Sequence, residues 1–154
     1  MQQKTLSVSA IKNGTVVDHI PAGAALTIIR LLNLPQGNKQ VTVGLNLPSR
    51  ATIYKDLIKV EERELTEDEA NRVALLAPRA TINIIKNYTV VKKFHVKIPE
   101  NIHRVVVCPN PTCITNQERM ATTFRVETKL DRVSLRCLYC EKIFAREDIK
   151  EYLT

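Results

Sequence analysis

The chain has 154 residues, of which 44% are hydrophobic, 5% are aromatic and 25% are charged. These proportions belong to a folded globular protein and exclude an intrinsically disordered chain. The formal net charge of +7 favours an anionic partner. The polar N-terminus has no signal-peptide core, and no segment approaches the ~20 apolar residues of a membrane span. We therefore expect a cytoplasmic protein with no membrane partner.

The first elements are a strand and a helix. Alternating apolar residues over residues 6–10 predict a half-buried strand, and Asn13-Gly14 is a typical turn sequence. Between residues 21 and 33 the apolar residues recur at helical spacing, and Pro35 ends the run. The sequence therefore predicts a strand, a turn and a helix in this order.

Two strands and a second helix follow. Residues 41–47 alternate cleanly and residues 57–60 form a shorter apolar run, which fits two antiparallel strands joined by a loop. Thr66 and Glu69 then form a capping box, in which the hydroxyl accepts from the Glu69 N–H and the carboxylate reaches back to the Thr66 N–H. We therefore expect a helix over residues 66–77.

Alternating residues 82–84 and 90–96 predict the last strands of the N-terminal part. The order strand, helix, strand, strand, helix, strand, with an extra terminal strand, indicates an α+β, ferredoxin-like domain, whose two helices cover one face of an antiparallel sheet. Beyond Pro99 a small, mainly β, zinc-ribbon-like domain is expected, with domain bounds of 1–98 and 99–154. Its short strand patterns lie at residues 104–107, 123–126, 133–136 and 142–144.

The surplus positive charge belongs to the N-terminal part. Residues 1–98 carry 14 Lys and Arg against 8 Asp and Glu, a net charge of +6. Residues 99–154 carry 9 against 8 and are nearly neutral. A single surface lysine is ordinarily just solvated. An anion site would require several of these bases to converge in the fold.

All four cysteines lie in the C-terminal part, as Cys108-x4-Cys113 and Cys137-x2-Cys140. Two such knuckles supply the tetrahedral thiolate set that Zn²⁺ prefers. A unit this small has a weak core, and structural zinc contributes on the order of 10–16 kcal/mol of apparent binding free energy. We expect one structural zinc ion per chain. Because protein ligands would fill all four positions, catalytic zinc is not expected, and free or redox-active thiols are the alternative.

The sequence contains no catalytic motif of the common kinds. It has no G-x-G-x-x-G or Walker loop, no G-x-S-x-G elbow and no H-E-x-x-H. Two functions remain open: a zinc-ribbon protein that binds nucleic acid through its basic N-terminal part, and a thiol oxidoreductase acting through Cys137 and Cys140. The low aromatic content and the nearly neutral C-terminal part argue against nucleic acid as a partner. Because the common catalytic motifs are absent, we expect a protein that is not an enzyme, with the thiol oxidoreductase as the enzymatic alternative.

Several separated segments resemble the regulatory chains of aspartate carbamoyltransferase, and the resemblance covers essentially the whole chain. They are residues 13–21 (NGTVVDHIP), 44–49 (GLNLPS), 55–59 (KDLIK) and 137–142 (CLYCEK), together with the spacing of all four cysteines. The resemblance implies a regulatory subunit without catalytic activity, with an N-terminal allosteric domain and a C-terminal zinc domain. It also implies regulatory-chain homodimers that bridge catalytic chains and control pyrimidine biosynthesis. The implied effectors are CTP, ATP and, in some members, UTP.

The same resemblance implies a nucleotide site in the N-terminal domain. Asp18 would bind the ribose hydroxyls, Lys59 the ribose and base side, and Lys93 the phosphates. His19 would lie close to the phosphate end. These roles suit the chemistry, because a triphosphate needs cations and a ribose diol suits a carboxylate acceptor. Main-chain groups would read the base around Ala10, Ile11, Tyr88 and Val90. The pocket would be lined or bordered by Val16, Lys55, Leu57, Asn83 and Ile85.

Overall fold

The computed structural model of the chain describes residues 10–34, 36–130 and 132–153. The chain divides into two compact units, Met1–Lys97 and Ile98–Thr154, each with its own sheet. Within the described residues, no helix is long and apolar enough to cross a membrane.

The N-terminal unit contains an antiparallel sheet in the order β2-β3-β1-β4-β5. Helix α1 (Ala25–Leu32) follows β1, and helix α2 (Glu67–Asn71) follows β3. This is the predicted ferredoxin-like arrangement, with β5 as the extra strand at one edge. The strands are β1 (Gly14–Pro21), β2 (Val41–Pro48), β3 (Tyr54–Glu61), β4 (Thr81–Lys86) and β5 (Thr89–His95).

The central strand, β1, is one that the sequence patterns did not predict. The strand predicted over residues 6–10 lies outside the described residues except for Ala10, and the predicted turn at Asn13-Gly14 is instead where β1 begins. A bulge between Val17 and Ile20 interrupts the alternation of β1. Because the period of two is broken inside the strand, the usual sequence signal is absent.

The core of this unit lies on one face of the sheet, beneath the helices. Inward-facing strand residues alternate with residues of the opposite face, as expected for a sheet covered on one side. The fully or almost fully buried members are Val17, Ile58, Val60, Ile82 and Ile84 from the strands, Ala25, Ile28, Leu31 and Leu32 from α1, and Ala70, Val73, Ala74 and Ala77 from α2 and the turns after it.

Both helices are shorter than predicted. Helix α1 begins at Ala25 because Pro21 still belongs to β1, and Asn33 ends it in the left-handed conformation. Helix α2 begins as predicted, since the Thr66 hydroxyl accepts from the Glu69 N–H at 3.1 Å. The Glu69 carboxylate, however, bonds the Thr66 hydroxyl at 3.3 Å and Arg63 at 2.7 Å.

The segment after α2 continues as hydrogen-bonded turns rather than as helix. The N–H of Val73 bonds the carbonyl of Ala70 at 3.2 Å, and that of Ala74 bonds Asn71 at 3.1 Å, so the pattern tightens to i−3. This geometry buries three consecutive residues, Val73, Ala74 and Leu75. A regular helix with one apolar face could not do so, and the predicted helix over residues 66–77 therefore ends early.

The C-terminal unit contains a four-stranded antiparallel sheet in the order β6-β7-β8-β9. Its core includes Phe124 and Leu135, both fully buried. The strand predicted over residues 104–107 is wrong, since this segment forms only an isolated bridge from Val106 to Tyr152. The elements are β6 (Asn101–His103), α3 (Ile114–Gln117), β7 (Thr123–Lys129), β8 (Arg132–Cys137), β9 (Ile143–Ala145) and a 3-10 turn (Arg146–Asp148).

Candidate functional site

The four cysteine sulfurs converge in the C-terminal unit. All four lie within 4.8 Å of one another. The Cys108 and Cys140 sulfurs are 3.8 Å apart, as are those of Cys113 and Cys137. A disulfide would bring two sulfurs to about 2.05 Å. Four thiolates about 2.3 Å from a central zinc ion form a tetrahedron with edges of roughly 3.8 Å. The sulfurs therefore fit one tetrahedral zinc ion.

The first pair of cysteines is held by a network around two asparagines. The N–H of Cys113 donates to the carbonyl of Asn110 at 3.0 Å. The side-chain amide of Asn116 donates to the carbonyls of Cys108 at 2.9 Å and Asn110 at 2.7 Å. The hydroxyl of Thr115 lies 3.1 Å from the Cys113 sulfur. These supporting residues were missed from the sequence, although Pro109 and Pro111 around Asn110 signal a tight turn.

The second pair lies on a turn after β8. The N–H of Cys137 donates to the Lys142 carbonyl at 3.0 Å, and the N–H of Glu141 donates back to the Cys137 carbonyl at 2.9 Å. Glu141 has a left-handed φ of 64°, which lets the chain turn this tightly. The short knuckle therefore fixes both sulfurs by backbone geometry.

The protonation of the thiols differs across the cluster. Burial raises the pKa of Cys108 and Cys137. Burial also acts to raise the pKa of Cys140, but hydrogen bonds from the Lys142 N–H and the Asn110 side chain outweigh it and lower that pKa to about 7. Thiolates are the metal ligands, so zinc must displace protons from the buried members, and its binding releases protons.

Four predicted nucleotide-site residues form one row across the N-terminal sheet. The register pairs Lys59 of β3 with Val16 of β1, Val16 with Asn83 of β4, and Asn83 with Lys93 of β5. Directly paired residues of antiparallel strands point to the same face. The row lies on the face opposite the core, and Leu57 shares that face because it lies two residues from Lys59 on β3.

One end of this face is formed by the turn between β4 and β5. Ile85 pairs with Val90 across these strands, and Tyr88 lies in the turn, 67% exposed. The N–H of Tyr88 donates to the carbonyl of Lys12 at 2.9 Å. This bond places the turn beside the segment that carries the two remaining predicted base-reading positions, Ala10 and Ile11.

The other end contains an ion pair and a histidine. The ammonium nitrogen of Lys55 lies 2.8 Å from Oδ1 of Asp18, and each side chain is 21% exposed. The N–H of His19 donates to the same oxygen at 2.6 Å. The His19 ring Nδ1 lies 3.1 Å from the hydroxyl of Thr81, a buried residue that the sequence did not single out. The bulge in β1 thus gathers these groups at the strand end.

Charges on this face perturb one another. Partial burial acts to raise the pKa of Asp18, but the Lys55 hydrogen bond, the His19 N–H and the charges of both residues outweigh it, and the pKa lies below its usual value. Burial lowers the pKa of Lys59, which is 8% exposed, while the charge of Asp18 opposes that shift. Ammonium groups of three lysines and one carboxylate therefore share this face, an arrangement suited to an anion that also carries hydroxyl groups.

A buried carboxylate next to this face, that of Asp56, was not identified from the sequence. Asp56 lies on the core side of β3 and is fully buried, where it accepts three backbone N–H bonds. The signal for it was available in the sequence. In the alternation of Asp56, Ile58 and Val60, an acid occupies an inward position, where it must find donors.

Comparison with known families matches both units. The allosteric domain of the aspartate carbamoyltransferase regulatory chain matches residues 6–97, and the metal-binding domain of that chain matches residues 100–150. Three curated relatives, each described as an aspartate carbamoyltransferase regulatory chain, align over 150 residues. The Vibrio campbellii protein is 47% identical, over 97% of this chain and 98% of the relative. Those of Photobacterium profundum and Vibrio cholerae are 47% and 45% identical, over 97% of both chains in each case.

The two matches together span almost the entire sequence. The metal-binding domain contains all four cysteines, whose sulfurs have the geometry of a structural zinc centre. The chain therefore belongs to the family of aspartate carbamoyltransferase regulatory chains, which are non-catalytic subunits.

Proposed function

We propose that the N-terminal domain, residues 1–98, binds nucleoside triphosphates as allosteric effectors. CTP and ATP are the expected ligands, with UTP as a further effector. The observation that carries the proposal is the single row of Lys59, Val16, Asn83 and Lys93 across the sheet, with Asp18 at its end. Cations and a carboxylate on one face suit the phosphates and the ribose diol of a nucleotide.

Each part of the nucleotide has a candidate partner on this face. Asp18 accepts from the ribose hydroxyls, with its carboxylate held in place by Lys55. Lys59, held by the central part of the sheet, contacts the ribose and base side. Lys93 is exposed on the edge strand and reaches the phosphates, with His19 near their end.

The base is recognised by the polar backbone around four residues, Ala10, Ile11, Tyr88 and Val90.

The C-terminal domain, residues 99–154, docks on the catalytic chain of aspartate carbamoyltransferase. Large apolar side chains next to the zinc knuckles support this role, because Ile114, Leu138 and Tyr139 are 39%, 45% and 44% exposed. Exposed apolar side chains of this kind are typical of a protein interface. Zinc holds the knuckles, and thereby the docking surface, in one conformation.

Nucleotide binding then regulates pyrimidine biosynthesis through the catalytic chains. For this to occur, each nucleotide must bind two quaternary states with different affinity, and couplings of roughly 1–3 kcal/mol are sufficient. The regulatory chains act as homodimers that bridge catalytic chains in the cytoplasm. By linkage, the change between the two quaternary states must alter nucleotide affinity by the same factor by which the nucleotide shifts the equilibrium between those states.

The test is calorimetric titration of CTP and ATP into the full-length chain, alone and in complex with its catalytic chain. We expect one site per chain, competition between the two nucleotides, and an affinity that differs between the free chain and the complex. A chain that binds neither nucleotide in either form contradicts the proposal. Equal affinity in the free chain and in the complex contradicts the proposed regulation but not the proposed nucleotide site.

A further inference from the structure

Two β-bulges lie side by side, one on each side of β3. From Val17 to Ile20, β1 advances three residues while β3 advances two. From Gly44 to Leu47, β2 likewise advances three residues against two of β3. Each neighbour of β3 thus carries one extra residue at nearly the same level of the sheet. Such paired irregularities re-aim side chains at strand ends and are typical of sites rather than defects.

The bulge in β1 separates a site residue from a core residue. Asp18 lies on the exposed face, whereas Ile20, two residues later, is fully buried. The extra residue, His19, has a left-handed φ of 59° and allows this change of side. Past the bulge, Pro21 pairs with Lys55, whose ammonium group reaches back to Asp18 at 2.8 Å. The contact between these two charges therefore depends on the course of the backbone through the bulge.

One carboxylate fixes the surroundings of both bulges. Oδ2 of Asp56 accepts from the N–H of Gly23 at 2.9 Å and of Ala25 at 3.2 Å, which lie just after β1. Oδ1 of Asp56 accepts from the N–H of Asn46 at 3.0 Å. Asn46 is the residue of the β2 bulge with a left-handed φ of 55°. Asp56 thus ties the end of β1 and the bulge of β2 to the position next to Lys55.

We propose that Asp56 is a positioning residue of the nucleotide site, which keeps Lys55 in contact with Asp18 by holding both neighbouring strands at their bulges. This inference rests on the nucleotide site proposed above. Asp56 is fully buried beneath the sheet, so it acts through Lys55 and Asp18 and contacts no ligand. Asp18, oriented by this contact, presents its carboxylate to the ribose hydroxyls of the nucleotide.

The Asp56→Asn variant tests this because it keeps the shape of the side chain but removes one acceptor. Whichever way the amide is oriented, its NH₂ group faces either the Asn46 N–H or the N–H groups at the start of α1. The variant therefore loses either the hydrogen bond to β2 or those to the segment after β1, and the strand concerned is no longer held at its bulge. Thr15→Val is the matched control. Thr15 is fully buried on the same sheet and bonds the Arg63 carbonyl at 2.6 Å and the Leu65 N–H at 3.1 Å, away from the bulges.

The first measurement is the pKa of Asp18 by carbon-detected NMR in the full-length chain, under conditions in which circular dichroism shows each variant folded. We expect Asp56→Asn to raise the pKa of Asp18 and Thr15→Val to leave it unchanged. An unchanged pKa in Asp56→Asn, or an equal rise in both variants, overturns the proposal. If Asp56→Asn does not fold, Asp56→Glu, which displaces the carboxylate by one methylene, is measured against the same two criteria.

The second measurement is the affinity for CTP. We expect Asp56→Asn to weaken binding by roughly tenfold, the loss of about one charge-assisted contact, and Thr15→Val to leave it within about twofold. In a Lys55→Met background, Asp56→Asn should add little, because it acts through Lys55; full additivity of the two losses overturns the proposal. A wild-type chain that binds no CTP contradicts the proposed function instead, and the NMR comparison still decides the role of Asp56.

Discussion

The ammonium nitrogen of Lys55 lies 2.8 Å from Oδ1 of Asp18, although the residue of β1 that pairs with Lys55 is Pro21. Asp18 is a carboxylate whose pKa lies below its ordinary value of 3.8, against the effect of its burial. A lowered pKa in the folded state stabilises the fold above the pKa of the unfolded state. That contribution is lost as the pH falls through the lowered pKa of Asp18.

Replacing the lysine should reverse the shift. In Lys55→Met the burial of Asp18 remains while its main ionic partner is gone, so the pKa of Asp18 should rise above that of the wild type. The free energy of unfolding should fall at about pH 7, and the difference from the wild type should be smaller at about pH 3, because the contribution of Asp18 is lost as the pH falls toward its lowered pKa. Urea unfolding at the two pH values, with NMR titration of Asp18, measures this.

Lys39→Met provides the control for that experiment. Lys39 bonds the exposed Glu62 at 2.7 Å, in a pair that is 44% and 66% exposed. Solvent screens such pairs, so this variant should leave stability nearly unchanged at both pH values. An equal loss of stability in both variants would show that removing one positive charge, and not the contact with Asp18, lowers the free energy of unfolding.

Two adjacent lysines of β5 should differ in their effect on nucleotide binding. Lys93 pairs with Asn83 on the face of the proposed site, whereas Lys92 pairs with the buried Ile84. Lys93→Ala should weaken CTP binding by about 1.5–3 kcal/mol, the range of a hydrogen bond to a charged group, without unfolding the chain. Calorimetry measures both affinities and circular dichroism the fold.

Lys92→Ala removes the same charge from the opposite side of the sheet. Its ammonium group lies 3.7 Å from Glu67 of α2 and 5.1 Å from the centre of the Phe94 ring. CTP affinity in this variant should stay within about twofold of the wild type, since the charge of Lys92 lies on the opposite side of the sheet from the proposed site and is screened by solvent. Equal losses in Lys92→Ala and Lys93→Ala would exclude a specific phosphate contact of Lys93.

Removing one zinc ligand should unfold the C-terminal unit alone. Cys113 is 1% exposed and lies within 4.8 Å of the other three sulfurs. Cys113→Ala should lose its zinc and with it most of the roughly 10–16 kcal/mol that such a site supplies. Metal analysis after dialysis, hydrogen exchange of the two units and binding to the catalytic chain measure the result. Retained assembly with the catalytic chain would mean that this unit is not the docking domain.

The first residue of β1 should not tolerate a side chain. A Cβ on Gly14, whose φ is +145°, would overlap the carbonyl oxygen of Val60 on β3. Gly14→Ala should therefore destabilise the fold by roughly 3 kcal/mol, from backbone strain and overpacking together. Gly23→Ala is the control, because its φ is +95° but a Cβ there meets nothing within 4 Å.

Gly23→Ala should cost only the backbone strain, about 1–2 kcal/mol. Thermal or urea unfolding of the two variants separates the contact from the strain. Equal losses would mean that β3 moves aside and that the close approach of the strands at Gly14 contributes nothing.

The sequence by itself determined the parts of this protein that depend on local patterns. The cysteine spacing indicated a zinc centre, the Thr66 cap began α2, and the apolar patterns of β2 to β5 led to a ferredoxin-like fold. These features are readable because a knuckle, a cap and a period of two each lie within a few residues of one another.

Only the tertiary structure decided the contacts between residues of different strands. The bulge in β1 breaks the local period of that strand, so the sequence patterns did not predict β1, and the contact of Asp18 with Lys55 could not be read from one strand. The three donors of Asp56 come from two segments distant in sequence. Register between strands is set by packing of the whole sheet and by its bulges, and it is this register that aligns Lys59 with Lys93.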